Sequence, residues 1–147
     1  MHNSFEDLIA THSQCVVNSK VATENGKRFE IDSTEEFSRI KIDGCLINSQ
    51  QIQKCDFGFR RIINDDFYFV ELKGKDIKTA KEQIISTINH FENNLIKIPK
   101  NKRFAFIISS KIPKAGTDVN NIRQELKKHH CSDIKIQNKV LIHKPSK

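Results

Sequence analysis

The chain has 147 residues and a formal net charge of +7 at pH 7, and 37% of its residues are hydrophobic. This apolar content is enough to build a core, which excludes a disordered tail or a fibrous repeat and favours a single domain over residues 1–147. The apolar runs are much shorter than the roughly 20 residues that a membrane-spanning helix needs, and the first residues show no signal-peptide pattern. We therefore expect a cytoplasmic protein without a membrane partner.

Charge is divided unequally along the chain. Residues 1–96 carry 12 basic and 15 acidic side chains, a net charge of −3, whereas residues 97–147 carry 13 basic and 3 acidic side chains, a net charge of +10. A cationic third favours a polyanionic partner, because each Lys or Arg that meets a phosphate releases a counterion. The alternative is a basic face that only water contacts. The predicted nucleic-acid contacts are Lys97, Lys100, Lys102, Arg103, Lys111 and Lys114.

The four cysteines are widely spaced. Cys15, Cys45, Cys55 and Cys131 form no C-x-x-C pair, so the sequence signals neither a zinc site nor a secreted disulfide framework. Buried free thiols are the expected state of all four.

The N-terminal region has the weakest pattern. A short helix is expected at residues 5–9, and strands are expected at 15–17 and 29–31 around a turn at 24–27. We treat residues 1–38 as an N-terminal extension of uncertain structure.

From residue 39 onward, short strands and two helices follow in a clear order. The predicted strands are residues 39–47, 54–63, 67–73, 103–108 and 134–143. The predicted helices are residues 77–98, capped by Asp76, and a second one from 117 or 118 to about 130. Hairpins followed by helical crossovers predict an α/β (α+β) fold, with a mixed central sheet of about five strands flanked by helices.

Charged residues converge in the predicted hairpin of strands 54–63 and 67–73. Strand alternation places Glu71 and Lys73 on one face, and a turn at residues 64–65 makes paired residue numbers sum to 129. That register places Asp56 opposite Lys73 and diagonal to Glu71, on the same face. The alternative is a solvated strand end with an exposed ion pair.

Two carboxylates beside an ammonium group suit phosphodiester hydrolysis. Asp56 and Glu71 would bind Mg²⁺ or Mn²⁺, and the backbone carbonyl of Leu72 would add a ligand oxygen. Lys73 would orient or deprotonate a water molecule and stabilise charge on the phosphate.

Asp56, followed after a hairpin by Glu71-Leu72-Lys73 and then by a long helix and a strand, resembles the PD-(D/E)xK nuclease superfamily. This is the restriction-endonuclease-like fold, which includes Holliday-junction resolvases and RecB-type nucleases. The resemblance covers about residues 39–143 and implies that Asp56 and Glu71 are metal ligands and that Lys73 is the catalytic lysine. It also implies a site role for Gln83 on the following helix.

The chain differs from the superfamily pattern at one position. The identity of a further acidic residue of the pattern is also open. Cys55 stands where the motif has a proline. The superfamily often supplies another acid from upstream, for which Asp43, Glu36 and Glu35 are the candidates. We favour Asp43, because it precedes Gly44 on the neighbouring predicted strand.

These features predict a metal-dependent nuclease, an endonuclease or exonuclease that cuts DNA, with RNA as a second candidate partner and a basic C-terminal third that binds the backbone. One alternative is a catalytically inactive nucleic-acid-binding or assembly module of a repair or defence complex. Another is a dimeric Holliday-junction-type resolvase, since paired incisions need two active sites. The expected partners are therefore nucleic acid and either a second copy of the chain or a larger complex.

Overall fold

The computed structural model describes residues 1–72, 76–112 and 116–147, so the predicted site residues Lys73 and Lys114 lie outside the described residues. The described α-helices are Phe5–Thr11 (α1), Ile77–His90 (α2) and Gly116–His129 (α3). The described strands are Val16–Asn18 (β1), Val21–Glu24 (β2), Lys27–Ile31 (β3), Phe37–Lys41 (β4), Phe57–Arg61 (β5), Phe67–Glu71 (β6), Arg103–Ser109 (β7), Asp133–Asn138 (β8) and Val140–His143 (β9). None of the described helices is long and apolar enough to cross a membrane.

Six strands form one mixed sheet in the order β1-β4-β5-β6-β7-β8. Its first four strands are antiparallel neighbours. β7 and β8 run parallel to β6. This is because α2 and α3 each return the chain to the end of the sheet at which the preceding strand began. The predicted α/β class with a mixed central sheet flanked by helices is confirmed. The sheet has one strand more than expected, since the N-terminal region contributes β1.

A separate three-stranded sheet, in the order β2-β3-β9, was not expected from the sequence. β2 and β3 form a hairpin whose turn residues Asn25 and Gly26 have φ values of 51° and 74°, the left-handed geometry that Asn-Gly turns favour. The strand predicted over 134–143 is divided at Lys139, whose φ is 63°. After that residue, β9 leaves the first sheet and pairs parallel with β3.

Hydrophobic side chains pack on both faces of the six-stranded sheet. On one face, Ile84 of α2 and Leu126 of α3 are buried against the sheet. On the other face, the Phe29 ring of the small sheet lies 5.3 Å from the Phe59 ring and 4.9 Å from the Phe106 ring. The layers are therefore helices, six-stranded sheet and three-stranded sheet. A charged side chain on a central strand of the six-stranded sheet therefore points into one of two hydrophobic cores, one under the helices and one under the three-stranded sheet.

The helix predicted over 77–98 is shorter than expected. α2 begins after Asp76, whose side chain accepts a hydrogen bond of 2.7 Å from the backbone N–H of Thr79. It ends at His90, where the π-helical turn Phe91–Leu95 continues the chain. Apolar residues in that turn stay buried, which explains why the apolar spacing extends beyond the α-helix.

The four cysteines divide into a bonded pair and two free thiols. Cys15, directly before β1, and Cys45, after β4, form a disulfide with a Cα–Cα distance of 5.7 Å. The prediction of free thiols is wrong for these two residues, because pairing of β1 with β4 brings together cysteines that are 30 residues apart. It is confirmed for Cys55 and Cys131, which are free and buried.

Candidate active site

The β5–β6 hairpin has a different register from the predicted one. Phe57 pairs with Val70, so paired residue numbers sum to 127 rather than 129. The strands separate after Arg61, whose backbone N–H donates to the carbonyl of Asp66 over 2.8 Å. Residues 62–65 therefore form the loop, which is two residues longer than the predicted turn.

A two-residue shift keeps every side chain on its predicted face, since side chains alternate with a period of two. Asp56 and Glu71 now occupy opposing positions, one residue beyond the pair of Phe57 with Val70. Both belong to the set of residues that faces the helices, as Phe69 does. The two predicted metal ligands are thus directly opposite each other, whereas the predicted register placed them at diagonal positions.

Asp56 is held by hydrogen bonds to both neighbouring strands. Its backbone carbonyl accepts from the N–H groups of Ile42 and Asp43 over 3.0 and 3.3 Å. Its side-chain Oδ2 accepts from the N–H of Leu72 over 2.7 Å. The carboxylate therefore has a defined orientation at the end of the hairpin.

Glu71 is the last residue of β6, and its side chain is completely buried, while Asp56 is 3% exposed. It pairs in register with Ile107 of the parallel strand β7, so it lies near the carboxyl edge of the parallel strands. A buried carboxylate is costly to remove from water, so buried carboxylates are paired with cations or bind them.

Cys55 and helix α2 enclose the buried region around the side chains of Asp56 and Glu71, which we call the carboxylate corner. The N–H of Cys55 donates to Oγ1 of Thr87 over 2.8 Å, and this hydroxyl donates to the carbonyl of Gln83 over 2.7 Å. Burial, followed by the negative charge of Glu71, raises the pKa of the Cys55 thiol well above its usual value, and Asp56 contributes in the same direction. The Cys55 thiol is therefore protonated in this environment, and its Sγ lies 3.7 Å from the carbonyl oxygen of Phe57.

Gln83 lies one turn before Thr87 on the same face of α2. Its Oε1 atom is buried and accepts no hydrogen bond from residues 1–72, 76–112 or 116–147. A buried acceptor without a partner is rare, because it loses its hydrogen bond to water. The amide oxygen is thus available to a ligand or to an ordered water.

The favoured third acid, Asp43, lies beside Asp56 through its backbone N–H, but among the described residues its side chain forms no three-acid group with Asp56 and Glu71. Asp43 lies in the turn after β4, with its Oδ1 3.9 Å from Nζ of Lys54. Over the described part of the chain, no three or more His, Cys, Asp or Glu side chains form a group that could hold a metal. Asp43 therefore does not complete a three-acid group with Asp56 and Glu71.

The other two candidate acids do not replace Asp43. Glu35 forms a paired contact with Arg61, with N–O distances of 2.8 and 2.6 Å, at the far end of β5. Glu36 is exposed, directly before β4.

Most of the predicted nucleic-acid contacts lie at the end of the strands opposite to the end where Glu71 lies. Arg103 pairs in register with Phe67, the first residue of β6, whereas Glu71 is its last. Four residue steps separate these levels by about 13 Å. Three of the side chains donate to backbone carbonyls over 2.6, 2.7 and 2.8 Å: Lys100 to Lys128, Lys102 to Asn64 and Arg103 to Ile98. Exposed Lys97 lies at the same end. Lys100, Lys102 and Arg103 are therefore engaged by backbone carbonyls at this end of the sheet.

Lys111 differs from the rest of that set. It is exposed and lies two residues after the end of β7, at the end of the sheet where Glu71 lies. Two lysines that the sequence analysis missed share this edge: Lys78 in the first turn of α2, and Lys139, whose N–H donates to the carbonyl of Ser109 over 3.2 Å. A search for cations directly after each parallel strand would have found Lys139.

The residues present suit a hard cation such as Mg²⁺. This ion is usually bound through one or two carboxylates and keeps several of its waters. Asp56 and Glu71 would supply the carboxylates, and the carbonyl of Leu72 and Oε1 of Gln83 would add neutral oxygens.

Comparison of the chain with protein-family models, with curated proteins and with solved structures finds no match in any of the three. Function is therefore inferred from the geometry of the carboxylate corner and its surroundings.

Proposed function

We propose that the protein is a metal-dependent nuclease of the PD-(D/E)xK type that hydrolyses phosphodiester bonds in DNA. The observation that carries this proposal is the pair of buried carboxylates, Asp56 and Glu71, at opposing positions of the β5–β6 hairpin. The pair lies at the carboxyl edge of parallel strands, which is the usual place for a ligand in such sheets.

Asp56 and Glu71 would hold Mg²⁺ or Mn²⁺ with help from the Leu72 carbonyl. The bound ion would act as a Lewis acid at the phosphate and lower the pKa of an attacking water. The N–H of Leu72 keeps Oδ2 of Asp56 in place, which preserves a fixed ligand geometry between turnovers. Lys73 follows directly in the chain and is assigned to the developing negative charge on the phosphate. Gln83 is assigned to positioning a water or a ligand oxygen.

The cations on the site edge are assigned to the substrate backbone. Three exposed lysines follow the ends of the parallel strands, on the side of the sheet where β6 ends at Glu71. They are Lys78 after β6, Lys111 after β7 and Lys139 after β8. Each phosphate contact of this kind adds salt-dependent affinity without sequence preference. Base-specific readout in a groove is not part of the proposal.

The test is incubation of plasmid DNA and labelled oligonucleotides with Mg²⁺ or Mn²⁺, and then with a chelator. Asp56→Asn and Glu71→Gln should each lower the cleavage rate by roughly two to three orders of magnitude, the loss expected for one principal electrostatic group. Glu82→Gln removes an exposed carboxylate beside Gln83 and serves as the matched control, with an unchanged rate.

Metal-independent cleavage, or full activity in Glu71→Gln, would refute the proposed mechanism. Binding of DNA or RNA without any cleavage would refute the nuclease and support the inactive nucleic-acid-binding module. Preferential cleavage of a four-way junction over linear duplex would support the dimeric resolvase. RNA oligonucleotides in the same assay decide between the two kinds of nucleic acid.

A further inference from the structure

A cleft of about 1110 Å³ opens between the first turns of α2 and α3, beyond the carboxyl ends of β7 and β8. Its described lining includes residues 76–79 of α2, residues 110–112 after β7 and Asn121 of α3. Sites for small organic ligands range from about 300 to 1000 Å³. The cleft is therefore large enough for a nucleotide and much larger than a bound ion needs.

The charged groups of the described lining balance in number, with three lysines, Lys78, Lys81 and Lys111, against the carboxylates of Asp76, Asp118 and Glu125. Nζ of Lys81 lies 2.9 Å from Oε2 of Glu125, which closes one end of the cleft between α2 and α3. Asp76 is engaged as the cap of α2. Exposed Lys78 and Lys111 lie at the rim. Such a cleft has little net attraction for a run of phosphates inside it and accepts an uncharged polar group more readily.

The uncharged lining has apolar walls and amide edges. Ile77 and Ile122 are buried at 3% and 7% exposure, and Ile112 packs against the same core. Asn121 and Asn138 provide amide groups, each with two donors and an acceptor. A nucleobase has the complementary form, since its faces are apolar and its edges carry donors and acceptors.

The cleft lies at the same end of the parallel strands as Glu71. Asp76, on its lining, is only four residues after Leu72 in the chain, and Asn138 pairs in register with Ser109 at the end of β7. A strand crossing this edge can place a phosphate near Glu71 while an adjacent base enters the cleft.

We infer that the cleft holds one nucleobase of a single strand, next to the phosphate that is cut at Asp56 and Glu71. This inference rests on the proposed nuclease function. Asn121 and Asn138 contact the edge of the base, the isoleucines contact its faces, and the rim lysines contact the flanking phosphates.

The test separates bases from phosphates. Fluorescence anisotropy, with a chelator present to prevent cleavage, compares a labelled single-stranded DNA with a strand of the same length built from abasic units. The native protein should bind the base-containing strand about tenfold more tightly, the discrimination expected for one good amide–base contact. Asn121→Ala should reduce this ratio to about twofold or less. Asn138→Ala is the second variant, and Asn120→Ala, an exposed neighbour beyond the described lining, should leave the ratio unchanged.

Equal affinity of the native protein for the two strands would overturn the inference, as would an equal loss in the Asn120 and Asn121 variants. Mg²⁺-dependent cleavage is measured on the same samples. A base preference without cleavage would support the cleft and refute the nuclease. Cleavage without a base preference would overturn the cleft alone.

Discussion

Asp56 and Gln83 illustrate two opposite ways in which a polar residue fits a buried site. The backbone and side chain of Asp56 are both hydrogen-bonded to neighbouring strands, so the fold itself fixes its carboxylate. Oε1 of Gln83 is buried and contributes no hydrogen bond to the described fold. A group of the second kind costs stability unless a ligand or a water molecule binds it.

Gln83→Leu should therefore separate binding from stability. Replacing a buried acceptor that lacks a partner with an apolar group of similar size should leave the free energy of unfolding unchanged or increase it. Mn²⁺ affinity, measured by calorimetry, should fall by about 10- to 100-fold, as for other groups that support a metal site. Gln124→Leu, at an exposed position of α3, is the control. A large loss of stability with unchanged metal affinity would make Gln83 a structural residue.

His143 is the residue whose titration affects stability most clearly. Burial, followed by the charge of Lys135, lowers its pKa from 6.5 to about 4. Its ring packs against Tyr68 and Phe106 and accepts a hydrogen bond of 2.9 Å from Nζ of Lys135. The neutral imidazole thus belongs to the folded state.

Because the folded pKa lies below the unfolded one, this stabilisation is complete above pH 6.5 and is lost as the pH falls towards 4. Denaturant unfolding should show a loss of up to about 3 kcal/mol over this interval. His143→Gln, which cannot titrate, should flatten that part of the profile. An identical pH profile in the variant would contradict the assignment.

At the scale of elements, the sequence predicts the strands and helices around the site better than their pairing. The apolar stripe of α2 and the aromatic residues of β6 were identified, because local periodicity carries that information. The hairpin register was not, because Arg61 pairs with Asp66 and lengthens the loop. Asp56 and Glu71 still lie on the same face of the hairpin, because the observed register differs from the predicted one by two residues, an even number.

The second sheet and the disulfide could not be predicted in this way. Both depend on contacts distant in sequence: β3 pairs with β9, and β1 pairs with β4 to bring Cys15 to Cys45. No local pattern encodes which strand joins which sheet. The split at Lys139 requires a left-handed residue other than Gly or Asn, which propensity does not favour.

Gly58 in β5 tests how closely the hairpin packs. A Cβ atom built there would lie 2.4 Å from the Phe67 ring and 3.2 Å from Ile42. Gly58→Ala should therefore destabilise the protein by about 1 to 3 kcal/mol through overpacking. Gly116→Ala is the control, because the nearest atom, on Asn120, is 3.7 Å away and the position is helical. Equal unfolding free energies for the two variants would contradict this packing.

For the whole molecule, the fold changes the meaning of the basic C-terminal third. The sequence places ten net positive charges there, but two of the predicted contacts, Arg103 and Lys111, lie at opposite ends of β7. Lysines at the edge away from Glu71 are largely engaged by backbone carbonyls. Lys111 lies at the site edge.

This division predicts different effects of two neutralising substitutions on DNA binding. Lys111→Ala should weaken binding to all sequences and reduce the slope of log K against log salt by about one. Lys97→Ala, at the opposite edge, should leave the slope unchanged. Titrations at several salt concentrations measure both. A reduced slope for Lys97 alone would place the DNA on the other edge.

The central claim is that Asp56 and Glu71 together hold one divalent metal ion. Calorimetric or spectroscopic titration with Mn²⁺ tests it without a substrate. The native protein should bind one Mn²⁺ per chain, and Glu71→Gln, shown to be folded by its circular dichroism, should lose that binding. Equal Mn²⁺ binding by the native protein and Glu71→Gln, or no binding by either, would contradict the claim.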